Sequence, residues 1–78
     1  MNLQKRQEII LQIIKKNLKL KKINDYNLSV GQISQWDSLI HLNIFIEIKA
    51  KFKKVAINNA SNVRSINDWL KLIRNLYK

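Results

Sequence analysis

The sequence predicts an all-α fold, a small bundle of three main helices and one short one. Three observations carry that expectation. Apolar residues recur at three- and four-residue steps near both ends of the chain. A capping aspartate opens the apolar middle segment, and lysines crowd its far end. Proline is absent and Gly31 is the only glycine, so little in the chain breaks a helix.

The first helix is expected from about Leu3 to Asn17. Leu3, Ile9, Ile10, Ile13, Ile14 and Leu18 form one apolar stripe, while Gln4, Lys5, Gln12, Lys15 and Lys16 lie elsewhere around it. The period is lost from Lys19 to Gln35. Asn24, Asp25, Asn27, Ser29 and Gly31 are turn formers, which indicates a long ordered loop. Ile23, Tyr26, Leu28, Val30 and Ile33 are the residues expected to pin it to the core. A loop of this length in a small domain points to function.

From Asp37 to Lys54 two periods compete. Leu39, Leu42, Phe45, Ile46 and Phe52 fit a helical face, yet Ile44, Ile46, Ile48, Ala50 and Phe52 alternate with polar residues as a strand would. Isoleucine also favours strands. Two features favour the helix. Asp37 can accept from the free N–H groups of a first turn. Lys49, Lys51, Lys53 and Lys54 gather where the helix dipole is negative. Asn58 to Val63 has room for one short helical turn. Ser65 then caps the last helix, with Asp68 three residues on to complete the cap reciprocally. Ile66, Trp69, Leu70, Ile73 and Leu76 or Tyr77 are its buried stripe.

With 78 residues, 46% of them hydrophobic, the chain 1–78 is read as a single packed domain. A domain of this size buries only about 60–65% of its unfolded surface, so deep enclosed pockets are not expected. No cysteine is present, which excludes disulfides, thiolate zinc sites and a cysteine nucleophile. No apolar run approaches the roughly 20 residues of a membrane span. The charged start, Met1 to Arg6, is followed by an apolar stretch broken by Glu8, Gln12, Lys15 and Lys16, without a small-residue cleavage site. A cytoplasmic protein is expected.

Catalytic constellations are sparse. The acids Glu8, Asp25, Asp37, Glu47 and Asp68 fall on separate elements, and His41 is the single histidine. No metal-ligand spacing and no glycine-rich phosphate loop occur. No catalytic or metal-binding residue is therefore expected, and the chain is not read as an enzyme. His41 reads as a boundary residue of a helix. The formal net charge of +10 suggests an anionic partner such as nucleic acid, bound by Lys15, Lys16, Lys19, Lys21 and Lys22 or by the Lys49–Lys54 cluster. It is equally what lysine-rich codon usage would produce. The three arginines, Arg6, Arg64 and Arg74, are few for base reading. A third reading is a helical adaptor that binds through Ile40, Ile44 and Ile48.

One run stands out, Trp36-Asp37-Ser38-Leu39-Ile40-His41-Leu42, where the long loop enters the middle helix. It resembles the acyl carrier protein family, whose signature is Asp-Ser-Leu at the start of the second helix. Stand-alone members often carry Trp before that Asp and His-Leu after it. Phe52 resembles the phenylalanine ending the second helix, and Val55 or Ile57 the apolar residue beyond. Val63, Ile66, Leu70 and Ile73 resemble the closing stripe. The pattern runs through most of the chain, but only the residues around Ser38 are specific.

The resemblance implies a four-helix bundle of acyl-carrier type. It implies a 4'-phosphopantetheine arm from coenzyme A on Ser38, whose thiol holds an acyl or aminoacyl cargo. The implied partners are a phosphopantetheinyl transferase, an acyl- or aminoacyl-activating ligase, and an acyltransferase or synthase. Asp37, Leu39, Leu42 and Ile46 would meet the transferase and other partners, and Ile40, Ile44 and Ile48 would border an acyl crevice. Trp36 reads independently as a hydrophobic staple on the helix start. One departure is marked. Family members are strongly acidic, whereas Ser38 to Lys54 holds one acid, Glu47, against four lysines. A specialised carrier with less basic or acidic partners is the expectation.

Overall fold

The computed structural model describes residues 2–77. Three of the four helices begin where a side chain satisfies one of the first-turn N–H groups that no helical carbonyl can reach. Asn2 accepts from Lys5 N at 2.9 Å to start α1, Leu3–Leu18. Asp37 accepts from Ile40 N at 2.9 Å to start α2, Ser38–Lys51. Ala56, which has no capping side-chain oxygen, precedes the short α3, Ile57–Asn62, and Asn59 Oδ1 accepts from Ala56 N at 2.9 Å. Ser65 and Asp68 exchange hydrogen bonds of 3.1 and 3.2 Å at the start of α4, Ile66–Leu76. The expected reciprocal cap is therefore formed.

The alternating isoleucines of the middle segment are helical. Among the described residues there is no strand, only an isolated bridge between Ser29 and Ser65. The cap at Asp37 and the burial of Ile44 and Ile48, four residues apart on one side, outweigh the strand preference of isoleucine. The helix ends three residues before Lys54, however. Phe52 leaves helical geometry at φ −124° and ψ 90°, and its side chain is buried. Val55 N then donates to Phe52 O at 3.1 Å, which turns the chain toward α3. Lys49 Nζ donates to the carbonyls of Lys53 and Val55 at 2.8 and 2.5 Å, satisfying acceptors past the helix end.

α1 packs along both α2 and α4 and runs opposite to them. Its first turn reaches the end of α4, where Arg6 Nη1 donates to Tyr77 O at 2.8 Å. Its last turn shares a hollow with Asp37 and Ile40 at the start of α2. The core unites Ile10, Ile13, Ile14 and Leu18 of α1 with Ile44 and Ile48 of α2 and Ile66, Trp69, Leu70 and Ile73 of α4. Phe52, Val55, Ala60 and Val63 close it from the α2–α3 side.

The long loop is laced to the head of α4. Val30 N donates to Arg64 O at 2.8 Å, Ile66 N to Leu28 O at 3.2 Å and Asn67 N to Tyr26 O at 2.9 Å. Ile23, Leu28, Val30 and Ile33 pack partly buried against the core as expected. Tyr26 does not: it is exposed, because its backbone carbonyl, not its ring, makes the contact to α4. Gly31, at φ +83°, takes the left-handed turn that lets its N–H reach Trp36 O at 2.7 Å.

Candidate functional site

Ser38 is the first residue of α2 and is exposed. Asp37 occupies the third-position N–H through its carboxylate, which leaves the N–H groups of Ser38 and Leu39 outside the helical ladder. The positive end of the helix dipole and these donors favour a negative group on the Ser38 oxygen. Among the described residues the Ser38 hydroxyl makes no hydrogen bond, so nothing internal competes for it.

Beside Ser38 a shallow groove of about 180 Å³ runs between α2 and α3. Ser38, His41, Leu42 and Phe45 line one wall, and Ile57, Ala60 and Ser61 the other. The walls are mostly aliphatic or aromatic.

His41 forms the inner wall, and both ring nitrogens are engaged. Trp36 Nε1 donates to His41 Nδ1 at 3.2 Å, so Nδ1 carries no proton in this arrangement. Nε2 lies 3.2 Å from Ala60 O and is the nitrogen that donates. The imidazole also sits between two indoles, with ring centroids 6.0 Å from Trp36 and 5.8 Å from Trp69. This histidine clasps the loop end, α2, α3 and α4 together, and neither nitrogen is left to act as an acid or base toward the groove. Trp36 is fully buried, and its partner lies at the fourth helical position, which is the staple spacing.

The four residues implied as partner-facing share the Ser38 end of α2 or its outer side. Asp37 is exposed, and Leu39, Leu42 and Ile46 have 65%, 43% and 54% of their surface open. The strip Ile40, Ile44 and Ile48 is divided. Ile44 and Ile48 are fully buried in the common core, while Ile40 reaches a different hollow with Asn17, Lys19, Ser34, Gln35 and Asp37. The groove beside Ser38 opens on another side of α2, so Leu42 and Phe45 line it where Ile44 and Ile48 were expected. Core formation decides this, because α1 covers the isoleucine side. Ile57, Ala60 and Ser61 escaped the sequence reading, since a short polar helix gives no periodic signal. His41 was read as a boundary residue of the helix, and its pairing with Trp36 emerged only in the structure.

Glu47, the one acid within α2, faces α1. The Lys16 ammonium donates to Oε1, and Asn17 Nδ2 donates to Oε2 at 2.6 Å. Those two donors, led by Lys16, hold its carboxyl below the usual range against the opposing effect of burial. Among the described residues, no three His, Cys, Asp or Glu side chains gather as a metal site, and no helix is long and apolar enough to cross a membrane. No protein-family model matches the chain, and the comparisons with curated proteins and with solved structures give no match.

Proposed function

We propose that this chain is a carrier protein of acyl-carrier type, bearing a 4'-phosphopantetheine arm on Ser38 and catalysing no reaction itself. The observation that carries the reading is the setting of Ser38: an exposed serine opening α2, after a capping Asp37, in the run Trp36-Asp37-Ser38-Leu39. Four helices in the order long, long, short, long, with an extended first loop, suit that family's architecture. The groove beside Ser38 gives an aliphatic segment of cargo somewhere to lie.

Loading requires a partner transferase. The Ser38 hydroxyl oxygen attacks the phosphorus that bears the pantetheine in coenzyme A. An Oγ–P bond forms, the diphosphate bridge breaks, and adenosine 3',5'-bisphosphate leaves. The hydroxyl proton passes to a base on the transferase, since the sole imidazole near Ser38 is occupied. The chain has no thiol of its own, so the arm supplies the sulfur for a thioester. An activating ligase then charges the arm, and an acyltransferase or synthase unloads it, in the cytoplasm where coenzyme A is available.

The test is intact mass after co-expression with a broad-specificity phosphopantetheinyl transferase. One added phosphopantetheine is expected on the wild type and none on Ser38→Ala. An unmodified wild type, or modification that persists in Ser38→Ala, would overturn the assignment. Ser29, Ser34, Ser61 and Ser65 lack the same setting.

A further inference from the structure

We propose that the groove beside Ser38 takes a short, uncharged aliphatic acyl group, and that His41 sets the length it admits. This deepens the carrier reading and rests on it for the thioester that delivers the group. Length follows from what closes the groove. His41 Nε2 lies 3.2 Å from Ala60 O, so a hydrogen bond bridges α2 and α3 at its inner wall. Beyond that bridge the interior is filled. The Trp36 and Trp69 rings lie 6.0 and 5.8 Å from the imidazole, and both are fully buried. Ile44 and Ile48 are committed to the core. A chain end therefore meets aromatic rings where a longer cargo would need open space. An apolar cavity of about 150 Å³ holds a six-carbon ring, so the groove, at about 180 Å³, has room for roughly six carbons.

The absence of charge follows from the walls. Neither an acid nor a lysine or arginine lines the groove. All five carboxylates of the chain are engaged elsewhere. Glu8 lies 3.8 Å from Lys5, and Asp25 accepts from Asn27 N at 2.9 Å. Asp37 and Asp68 cap helices, and Glu47 is bound by Lys16 and Asn17. The ammonium of an aminoacyl cargo would find no counter-charge in the groove, on a molecule of formal charge +10. A carboxylate on the cargo would find no cation there. Polar anchors are scarce too. Both His41 nitrogens are engaged, and Ser61 Oγ donates to Ile57 O at 3.2 Å. The surface left for contact is that of Leu42, Phe45 and Ile57, which rewards apolar area alone.

The test loads the arm with acyl groups of increasing length, from acetyl through butyryl and hexanoyl to decanoyl, and with alanyl. Intact mass verifies each load, and backbone amide shifts and melting temperature are compared with the holo form. Shifts at Leu42, Phe45, Ile57 and Ser61, and the melting temperature, are expected to rise up to about six carbons and no further, with the alanyl form matching the holo form. Ile57→Ala, which removes an exposed part of the outer wall, should reduce the hexanoyl shifts by about half. His41→Ala should carry the rise on to decanoyl, while His41→Gln, which keeps a donor and an acceptor, should keep the limit. A steady rise through decanoyl in the wild type, alanyl shifts equal to the hexanoyl ones, no groove shifts for any group, or a folded His41→Ala that keeps the limit would overturn the proposal. Because the chain has no cysteine, Ser38→Cys alkylated with N-alkyl iodoacetamides of the same lengths repeats the series without a transferase. That arm reads the groove whether or not Ser38 accepts phosphopantetheine, so the two failures are told apart.

Discussion

The indole of Trp36 donates its N–H to Nδ1 of His41 at 3.2 Å, tying the last loop residue but one to the first turns of α2. The same imidazole donates from Nε2 to Ala60 O on α3. His41→Ala removes a partner from each side and leaves a fully buried Trp36 N–H unsatisfied, at a cost of about 1–3 kcal/mol. Urea unfolding checks the magnitude. His41→Gln, which keeps a donor and an acceptor, is expected to recover part of the loss.

Glu47 makes stability depend on acidity. Its carboxyl is held below its unfolded value by Lys16 and Asn17, so the folded state favours the ionised form. That contribution is complete above the unfolded carboxylate pKa and is lost as pH falls through the lowered folded value. Glu47→Gln should therefore be less stable than wild type at neutral pH, with the gap closing in acid. Denaturation midpoints measured for both proteins from neutral to strongly acidic pH give the comparison. The pair is partly solvent-exposed, so the neutral-pH gap should be modest.

Asp37 and Ser38 should separate folding from loading. Asp37→Ala removes the cap on Ile40 N and is expected to cost about 1 kcal/mol. Ser38→Ala touches no internal hydrogen bond and should stay within about 0.5 kcal/mol of wild type. Thermal melting together with intact mass reads both effects. A stable, unmodifiable Ser38→Ala beside a less stable Asp37→Ala is the expected pattern.

Two left-handed residues should respond in opposite directions. Lys19 ends α1 at φ 58° and ψ 40°, where its N–H closes onto Lys15 and Lys16 carbonyls. A side chain at such a position carries strain, so Lys19→Gly should stabilise by up to about 1 kcal/mol. Gly31 already uses this freedom at φ +83°. Gly31→Ala should destabilise although a Cβ there meets open space, because the backbone angle alone is strained. Paired denaturation curves test both.

Any binding of nucleic acid should follow the dispersed lysines. Contacts of that kind are to phosphates, release counterions and weaken steeply with salt. Fluorescence anisotropy of two unrelated duplexes at two salt concentrations is expected to show weak, equal binding that vanishes at the higher salt. Tight selective binding at physiological salt would favour the nucleic-acid reading over the carrier.

Much of this architecture was legible without coordinates. The stripes of α1 and α4, the caps at Asp37 and Ser65, and the staple at Trp36 follow from short-range rules in which neighbours along the chain satisfy one another. So does the exposure of a serine just after a capping residue. Tertiary packing decided the rest. Whether the alternating isoleucines of α2 made a helix, and which side of it was covered, depended on α1 lying over Ile44 and Ile48. The groove needed α3, whose polar sequence carries no period, brought alongside Leu42 and Phe45. The engagement of Glu47 needed residues 30 and 31 positions away to meet it. Local hydrogen bonding is encoded within a few residues, whereas the sharing of buried surface between distant segments is settled only when the helices pack.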